Sequence, residues 1–531
     1  RDVAPSRGLG DVYKRQTFKR CLCMLWKTCQ ENGILGTCLL ITKGIAVYFA
    51  ISSQKGAKLF CPALFFKAEK CMRRSFVLNQ RQVIKMVFEI PQKVEIIINI
   101  LEKAGYEAYA VGGCVRDALL GRTPNDWDIT TSAKPEQVKA LFHRTVDTGI
   151  AHGTVTVLLE KEGFEVTTYR VDGEYEDGRH PKEVTFTACL EEDLKRRDFT
   201  INAMAYNPRK GLVDLFEGQK DLENKVIRCV GDPLERFTED ALRIMRAVRF
   251  SAQLGFSLEE ETRKALSVLA PNLKHVSAER IQVELVKLLV SPHPDYLRIA
   301  YEAGVTREFL PEFDRCMETP QNTPHHCYNV GEHILHSLLY VREDKVLRLT
   351  MLLHDIAKPV VRKTDENGRD HFKTHASVGE KMSKEILRRL KFDNDTISRV
   401  SRLIRWHDLR PTPAPAEVRK AINVVGEDLF PMWMEVQYAD NKAKSDYRGE
   451  EKAARQAGVR MTWEEIMEKG ECVSMKGLAI TGSDLIAAGM KPGKEMGSVL
   501  HELLDAVLEN PELNKKEALL SLAFAADKKL L

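Results

Sequence analysis

The chain has no uninterrupted apolar run of the length a membrane needs, no internal repeat and no low-complexity tract. Ile34–Ile51 comes nearest to a span, but Lys43 sits in its middle and Gly36 and Gly44 weaken it as a helix; a clean crossing takes about 20 apolar residues. It is not placed like a signal peptide either, since that would put its apolar stretch nearer the start, ahead of a small-residue cleavage site. Regular cysteine spacing is also missing. Cys21, Cys23, Cys29, Cys38, Cys61 and Cys71 crowd into the first 85 residues, and the other six are scattered. No disulfide framework is expected after residue 85, the thiols there read as reduced, and the compartment reads as cytoplasmic with no membrane partner. A strong charge of one sign is lacking too, but the formal +4 hides a split. Residues 1–85 hold 16 Lys and Arg against 4 Asp and Glu, which gives +12 there and leaves −8 over 86–531. A balance of −8 is not that of a general nucleic-acid binder, so RNA contact would have to use a local basic patch.

What is present is 531 residues, 44% hydrophobic and 29% charged, enough for two to four domains. Residues 1–85 differ in charge and cysteine content from the rest. Arg1–Gln16 has no initiator Met and resembles read-through of non-coding or adaptor sequence, so 1–85 is expected to be an extraneous or disordered leader and Met86 the start; the competing reading is a basic leader or membrane anchor.

From Pro91 to Ala104 the apolar residues Val94, Ile97, Ile98 and Leu101 recur at helical spacing, and Gly105 ends the run. The pattern then predicts a strand at Tyr109–Val111, a turn at Gly112-Gly113, a short helix around Val115–Leu120 and a strand at Asp126–Ile129. Two more strands are expected at His152–Glu160 and Phe164–Val171, the latter alternating and β-branched. This mixed α/β region ends near Leu222. Beyond about Val226 strand signals vanish, and helical periods run over Phe237–Leu289, Val330–Leu353 and onward to Leu531.

Asp126 and Asp128 are two apart on an extended segment, where such residues share a face. Their carboxylates suit a metal pair, because two hard cations about 4 Å apart can activate an attacking hydroxyl and stabilise a leaving pyrophosphate, and Mg²⁺ prefers oxygen ligands. An Asp-x-Asp alone equally starts a turn. Just before it, Val111-Gly-Gly-Cys-Val-Arg-Asp117 sets two glycines between strand and helix. Backbone N–H groups can approach a triphosphate there, the helix N-terminus favours anions, and Arg116 would fork onto phosphate oxygens. A lone Gly-Gly also makes ordinary tight turns; Gly-Gly-x-Val-Arg-Asp followed nine residues later by Asp-x-Asp is specific.

These residues resemble the polymerase-β-like nucleotidyltransferase superfamily and, within it, the bacterial tRNA CCA-adding and poly(A) polymerase family (class II). The resemblance implies a third carboxylate on a neighbouring strand, with Glu165 the candidate and a structural strand residue the alternative. Arg196-Arg-Asp-Phe-Thr-Ile-Asn-Ala-Met-Ala205 resembles the family's ribose- and phosphate-binding motif, which implies Arg197 on phosphates and Asp198 and Asn202 near the ribose. Glu239–Phe250 resembles its base-selecting helix.

On a helix, Asp240 and Arg243 would be neighbours on one face. Cytosine and adenine both offer an amino donor beside a ring-nitrogen acceptor, so an Asp accepting and an Arg donating would satisfy either base. Uracil and guanine would leave buried groups unpaired at about 1–3 kcal/mol each. Arg246 and Arg249 continue at the same interval and, by resemblance, hold the triphosphate or the pair; the plain alternative is an exposed charged face with i,i+3 ion pairs. Asp172–Pro181 is rich in Gly and charge and resembles the family's flexible loop.

His333, the His354-Asp355 dipeptide and Asp440 follow the order of the HD metal-dependent phosphohydrolases, with His375 and His407 as further ligand candidates. The resemblance implies a second divalent-metal site and conceivable phosphodiesterase or phosphatase activity on nucleotides; an HD-derived RNA-binding scaffold is the other reading. Ala479–Lys494 resembles the family's tail segment near the tRNA elbow.

The expected architecture is an α/β catalytic head (86–225) followed by an all-helical neck (226–325), an HD domain (326–445) and a helical tail (446–531). The expected partners are tRNA, CTP and ATP, with Mg²⁺ in the head. Poly(A) addition, CC- or A-restricted addition, and an HD phosphohydrolase with an RNA-binding head stay open as rivals, as does oligomeric state.

Overall fold

The helix expected over Pro91–Ala104 forms from Gln92 to Lys103 and buries Val94, Ile97, Ile98 and Leu101 on one face of a seven-stranded sheet. The structure is a computed structural model that describes residues 36–39, 48–51, 90–172 and 184–527; the leader and the Gly-rich loop of the sequence reading fall mostly outside these. Within the leader, Gly36–Leu39 and Tyr48–Ile51 form an antiparallel ladder. That ladder lies in a separate unit, residues 1–88.

The sheet strands are β1 (Ala108–Val111), β2 (Ile129–Thr131), β3 (Thr145–Gly149), β4 (Thr154–Leu159), β5 (Glu162–Thr168), β6 (Met204–Asn207) and β7 (Gly211–Asp214). Their order is β7-β6-β1-β2-β5-β4-β3. Only β2 and β5 run parallel, with Ile129 opposite Val166. The last residue of β1, the segment leading into β2 and the first residue of β6 meet at one end of the sheet. There the Val111 amide donates to the Asp128 carbonyl (3.0 Å) and the Gly112 amide to the Met204 carbonyl (3.1 Å). On the sheet's other face Tyr109, Val111, Tyr169, Leu194 and Ala205 form a second buried cluster.

Several expected bounds shift for physical reasons. β2 starts at Ile129, not Asp126: the two acids lie on the irregular segment just before the strand. β3, β6 and β7 were not foreseen. β3 is mostly exposed and polar, and β6 is four residues long with three of them buried, so neither shows alternation. The expected helical stretch 237–289 is four helices, Pro233–Glu239, Leu242–Leu254, Glu260–Leu269 and Ala278–Leu289. It breaks at Asp240, which is extended, and at Gly255, a left-handed C-cap with φ 69°. A 3₁₀ turn over Ala270–His275 contains Pro271 and supplies the third break. The stretch 330–353 divides before Lys345, where the Asp344 carboxylate accepts from the Val346 and Leu347 amides. Strand does not vanish after Val226: Val226–Ile227 pairs with Ser257–Leu258, and Lys363–Thr364 with Asp370–His371.

The remainder to Asp527 is helical. Leu478, Leu485, Leu503, Leu504, Val507 and Leu508 belong to a core of its own near the C-terminus. Among the described residues no helix is long and apolar enough to cross a membrane, and Cys114, Cys189, Cys229, Cys316, Cys327 and Cys472 are free thiols.

Candidate functional site

The sheet end carries the first constellation. The β2–β5 register sets Asp128, one residue before Ile129, beside Glu165, one residue before Val166. Asp128 faces solvent on one side and is crowded by protein on the other. That partial desolvation and then the charges of Glu165 and Asp126 raise its pKa, while Arg197 opposes the rise. Three repelling carboxylates with one nearby cation form an oxygen-only donor set of the kind a hard divalent ion satisfies. They do not gather as a trio as tightly as the ligand groups of the helical half.

Gly112 joins β1 to the helix Gly113–Leu119 at φ 84°, ψ −130°, a conformation open to glycine and costly for other residues. A Cβ there would stand 3.0 Å from Arg197 Nη1, and one on Gly113 would stand 3.7 Å from Arg116 Nη2. Arg116 is buried and committed, since its Nε and Nη2 each donate to Asp117 at 2.9 Å and its Nη1 donates to Asn202 Oδ1 at 2.8 Å. Asn202 Nδ2 in turn donates to Asp198 Oδ1 (3.1 Å). Arg246 donates to Asp198 Oδ2 from Nε (2.8 Å) and Nη2 (2.6 Å). Burial alone would lift the Asp198 pKa, but Arg246, followed by Asn202, holds it down at about 2. Residues from three sequence blocks therefore form one hydrogen-bonded chain from Arg116 through Asn202 and Asp198 to Arg246.

Asp240 and Arg243 are not side by side on a helix as the spacing predicted. Asp240 is an extended residue between two helices. Its Oδ1 accepts from the Leu242 amide (3.0 Å) and its Oδ2 from Arg280 Nη2 (2.8 Å). Arg243 donates to the Arg236 carbonyl (3.0 Å), Glu239 Oε2 (2.5 Å) and the Arg196 carbonyl (2.9 Å). Both side chains are therefore already engaged by protein partners. Arg249 pairs with Glu284 (2.5 Å); burial depresses its pKa to about 10, with Arg246 and Arg116 adding to the fall and Glu284 opposing it.

Four participants escaped the sequence reading. Asp193 is fully buried and pairs with Arg196 (2.7 Å) and Arg197 (3.3 Å). Phe250 has the guanidiniums of Arg249, Arg116 and Arg246 at 3.8, 5.0 and 5.3 Å from its ring centre. Arg280 and Glu284 sit on Ala278–Leu289. Asp193 and Phe250 lie beside or within quoted motifs and were findable; Arg280 and Glu284 carry no local signal.

The second constellation draws His333, His354, Asp355, His375, His407 and Asp440 together from distant segments. His333, His354 and Asp440 form one group, and Asp355, His375 and His407 another, each with its ligand atoms within 4.8 Å of one another. Asp355 bridges them. Its Oδ2 lies 3.5 Å from His333 Nε2 and 3.3 Å from His354 Nε2, and its Oδ1 lies 3.7 Å from His375 Nε2 and 3.6 Å from His407 Nε2. All four rings hydrogen-bond through Nδ1 to backbone carbonyls, those of Ala443, Met351, Phe372 and Ile404, at 3.1, 2.8, 2.8 and 2.7 Å. A carbonyl only accepts, so each Nδ1 keeps its proton, and a ring, when neutral, aims an Nε2 lone pair inward. Two such lone pairs meet at 3.2 Å between His333 and His354 and at 3.1 Å between His375 and His407. Neutral rings held this way repel, and a cation between them relieves it. Burial opposes charge on His354, but Asp355 and Asp440 outweigh it and raise the pKa to about 9, so a proton is the ion's competitor.

Three family models match. Residues 108–228 match the poly A polymerase head domain, 255–317 the probable RNA and SrmB-binding site of polymerase A, and 370–523 the putative tRNA nucleotidyltransferase domain 2. The chain is 38% identical to the CCA-adding enzyme of Lactobacillus helveticus, over 80% of this chain and 94% of that one. It is 37% identical to that of Levilactobacillus brevis, over 81% and 98%. A CCA-adding enzyme of Leuconostoc mesenteroides is 57% identical across a shorter stretch, 38% of this chain and 52% of that one. Among solved structures, the Bacillus stearothermophilus CCA-adding enzyme in complex with CTP superposes with a TM-score of 0.62 at 30% identity, covering 82% of this chain and 98% of the other.

Proposed function

Since this chain belongs to the CCA-adding enzyme family of tRNA nucleotidyltransferases, we propose that its head binds CTP or ATP at the Gly112 end of the sheet and joins the nucleotide to a tRNA 3′ end. The register that sets Asp128 beside Glu165, with Gly112 and Arg197 next to them, carries this reading. Asp126 and Asp128, with Glu165 in support, would hold Mg²⁺, which when bound acidifies the 3′-hydroxyl and neutralises the departing pyrophosphate.

The chain's own residues do the rest. Gly112 and Gly113 let backbone approach the triphosphate, and Arg197 supplies positive charge beside them. Asp198 and Asn202 meet the ribose, held in place by Arg246 and by Arg116, which acts here through Asn202. Asp240 and Arg243 read the amino group and ring nitrogen shared by cytosine and adenine, once Arg280 and Glu239 release them; Arg249 supports from the same helix. The 3′-oxygen attacks the α-phosphorus as the bond to pyrophosphate breaks. The relative solved in complex with CTP at 30% identity supports CTP as a substrate. The head takes 86–225, the neck 226–325, the HD domain 326–445 and the tail, gripping tRNA, 446–531; the setting is the cytoplasm.

The test is product length. A tRNA ending at its discriminator base should gain two C residues with CTP alone and CCA with both nucleotides, and the Asp128→Asn variant should be inert. Long A tails with ATP alone would make it a poly(A) polymerase, and a stop after CC or a lone A would restrict it.

For the helical half, His333, His354, Asp355, His375, His407 and Asp440 are the ligands of a divalent-metal pair with phosphohydrolase activity on nucleotides. The opposed Nε2 lone pairs support this. Elemental analysis together with an assay on a 2′,3′-cyclic phosphate tests it.

A further inference from the structure

Beside the histidine–aspartate cluster opens a cavity of about 520 Å³ whose wall includes Asp355, His375 and His407. Its charges are unbalanced. Lys358 is satisfied by Asp355 (2.6 Å), Lys444 and Arg410 share Asp440 (2.6 and 3.1 Å), and Arg448 is held by Glu451 (2.5 Å). Lys452 and Arg455 also line the cavity, on helix Gly449–Glu468, and among the described residues neither has a carboxylate within ion-pair distance. Lys452 Nζ is buried and makes no hydrogen bond among the described residues; burial and the neighbouring Lys444 depress its pKa. A buried ammonium set among other cations is unfavourable unless an anion joins it. Lys452 and Arg455 stand on helix Gly449–Glu468, a different part of the wall from Asp355, His375 and His407, and so offer a place for a second anionic group.

We propose that this cavity binds a small molecule bearing two separate phosphate groups, one at the Asp355–His375–His407 wall and the second against Lys452 and Arg455. The proposal rests on the metal reading of the histidine cluster for its first phosphate; the second subsite stands on Lys452 alone. Phosphates of an RNA backbone are the disfavoured source, because Lys452 Nζ lies beneath the surface and the cavity has the size of a nucleotide site.

The test uses the full-length chain with its metal content measured, titrated with adenosine 3′,5′-bisphosphate and with adenosine 5′-monophosphate, before and after Lys452→Met. The bisphosphate should bind about tenfold more tightly than the monophosphate, and Lys452→Met should erase that preference. The same variant should raise the melting temperature without ligand, since it removes an unmatched buried charge. A bisphosphate preference that persists in Lys452→Met, or disappears in Arg197→Ala instead, overturns the proposal. So does equal binding of the two probes by a metal-loaded chain, and so does a variant whose only loss is tRNA affinity. If no metal is found while Lys452→Met still abolishes the preference, the metal reading fails and the second subsite survives.

Discussion

Replacing Asp198 by Asn tests whether charge welds the head to the helix Leu242–Leu254. Asp198 is 8% exposed. Its Oδ2 takes both Arg246 donors, and its Oδ1 takes the Phe199 amide (2.8 Å) and Asn202. The carboxyl falls from 3.8 to about 2 in the folded chain, a differential stabilisation of about 2 kcal/mol. The sign follows from the lowered pKa: the contribution is complete above the unfolded value and is lost as pH falls toward about 2. Asn keeps the shape and removes the charge, leaving Arg246 a neutral acceptor, while water reaches its one-third-exposed side chain and offsets part of the loss. Local stability is the quantity to read, because several domains unfold together in a melt. Amide hydrogen exchange at 199–205 and 242–250 should show opening easier by about 1–2 kcal/mol in Asp198→Asn near neutral pH, and the gap should narrow between about pH 5 and about pH 2.5. A gap of constant size across that range would mean that shape, not charge, was lost, and would refute the reasoning.

Asp240→Ala should slow addition and also admit UTP, narrowing discrimination about tenfold or more; competition between CTP and UTP measures it, and unchanged selectivity would sink the paired reading of Asp240 and Arg243. Gly112→Ala imposes left-handed strain of about 1–3 kcal/mol and a Cβ 3.0 Å from Arg197 Nη1, so KM for CTP should rise, as steady-state kinetics will report. A metal held in the helical half would have to displace a proton from His354, whose pKa is raised to about 9; its affinity should therefore climb with pH up to about that value and level off above it, as competition with a chelator will show.

What was legible in the sequence was what sits close along the chain. Gly112, Gly113 and Asp126-Trp-Asp128 are local patterns, and the helix Gln92–Lys103 shows its period because one face is buried. The β6 strand showed nothing, because a short, largely buried strand has no alternation. Asp240 was placed on a helix because a spacing of three reads as one turn; the chain breaks there instead, since the Asp240 side chain caps the Leu242 amide. Arg280 and Glu284 occupy Asp240 and Arg249 from 40 and 35 residues away, and no local pattern encodes such a partner. The six candidate ligands of the helical half are legible because His-Asp adjacency is rare enough to anchor a search, while the carbonyls that accept from their Nδ1 atoms belong to ordinary residues such as Met351 and Ile404 and carry no signal of their own.

The two candidate metal-ligand sets differ in chemistry, and this makes them separable. The head offers carboxylate oxygens on an open sheet end, a hard and solvent-swept site where an ion would exchange freely and an incoming triphosphate would supply further oxygen ligands. The helical half offers four imidazole nitrogens and two carboxylates, with His333, His354, Asp355, His407 and Asp440 all at most 2% exposed, and every ring is locked by a carbonyl. Nitrogen-rich, preorganised sites favour transition metals and release them slowly. Dialysis without chelator should therefore abolish nucleotide addition, and added Mg²⁺ should restore it, while elemental analysis of the same dialysed sample still finds transition metal bound. Asp355→Ala, which removes the bridge, should empty that metal and leave Mg²⁺-restored addition in place. Loss of all metal on simple dialysis, or loss of addition together with the transition metal in Asp355→Ala, would show that the two centres are not independent.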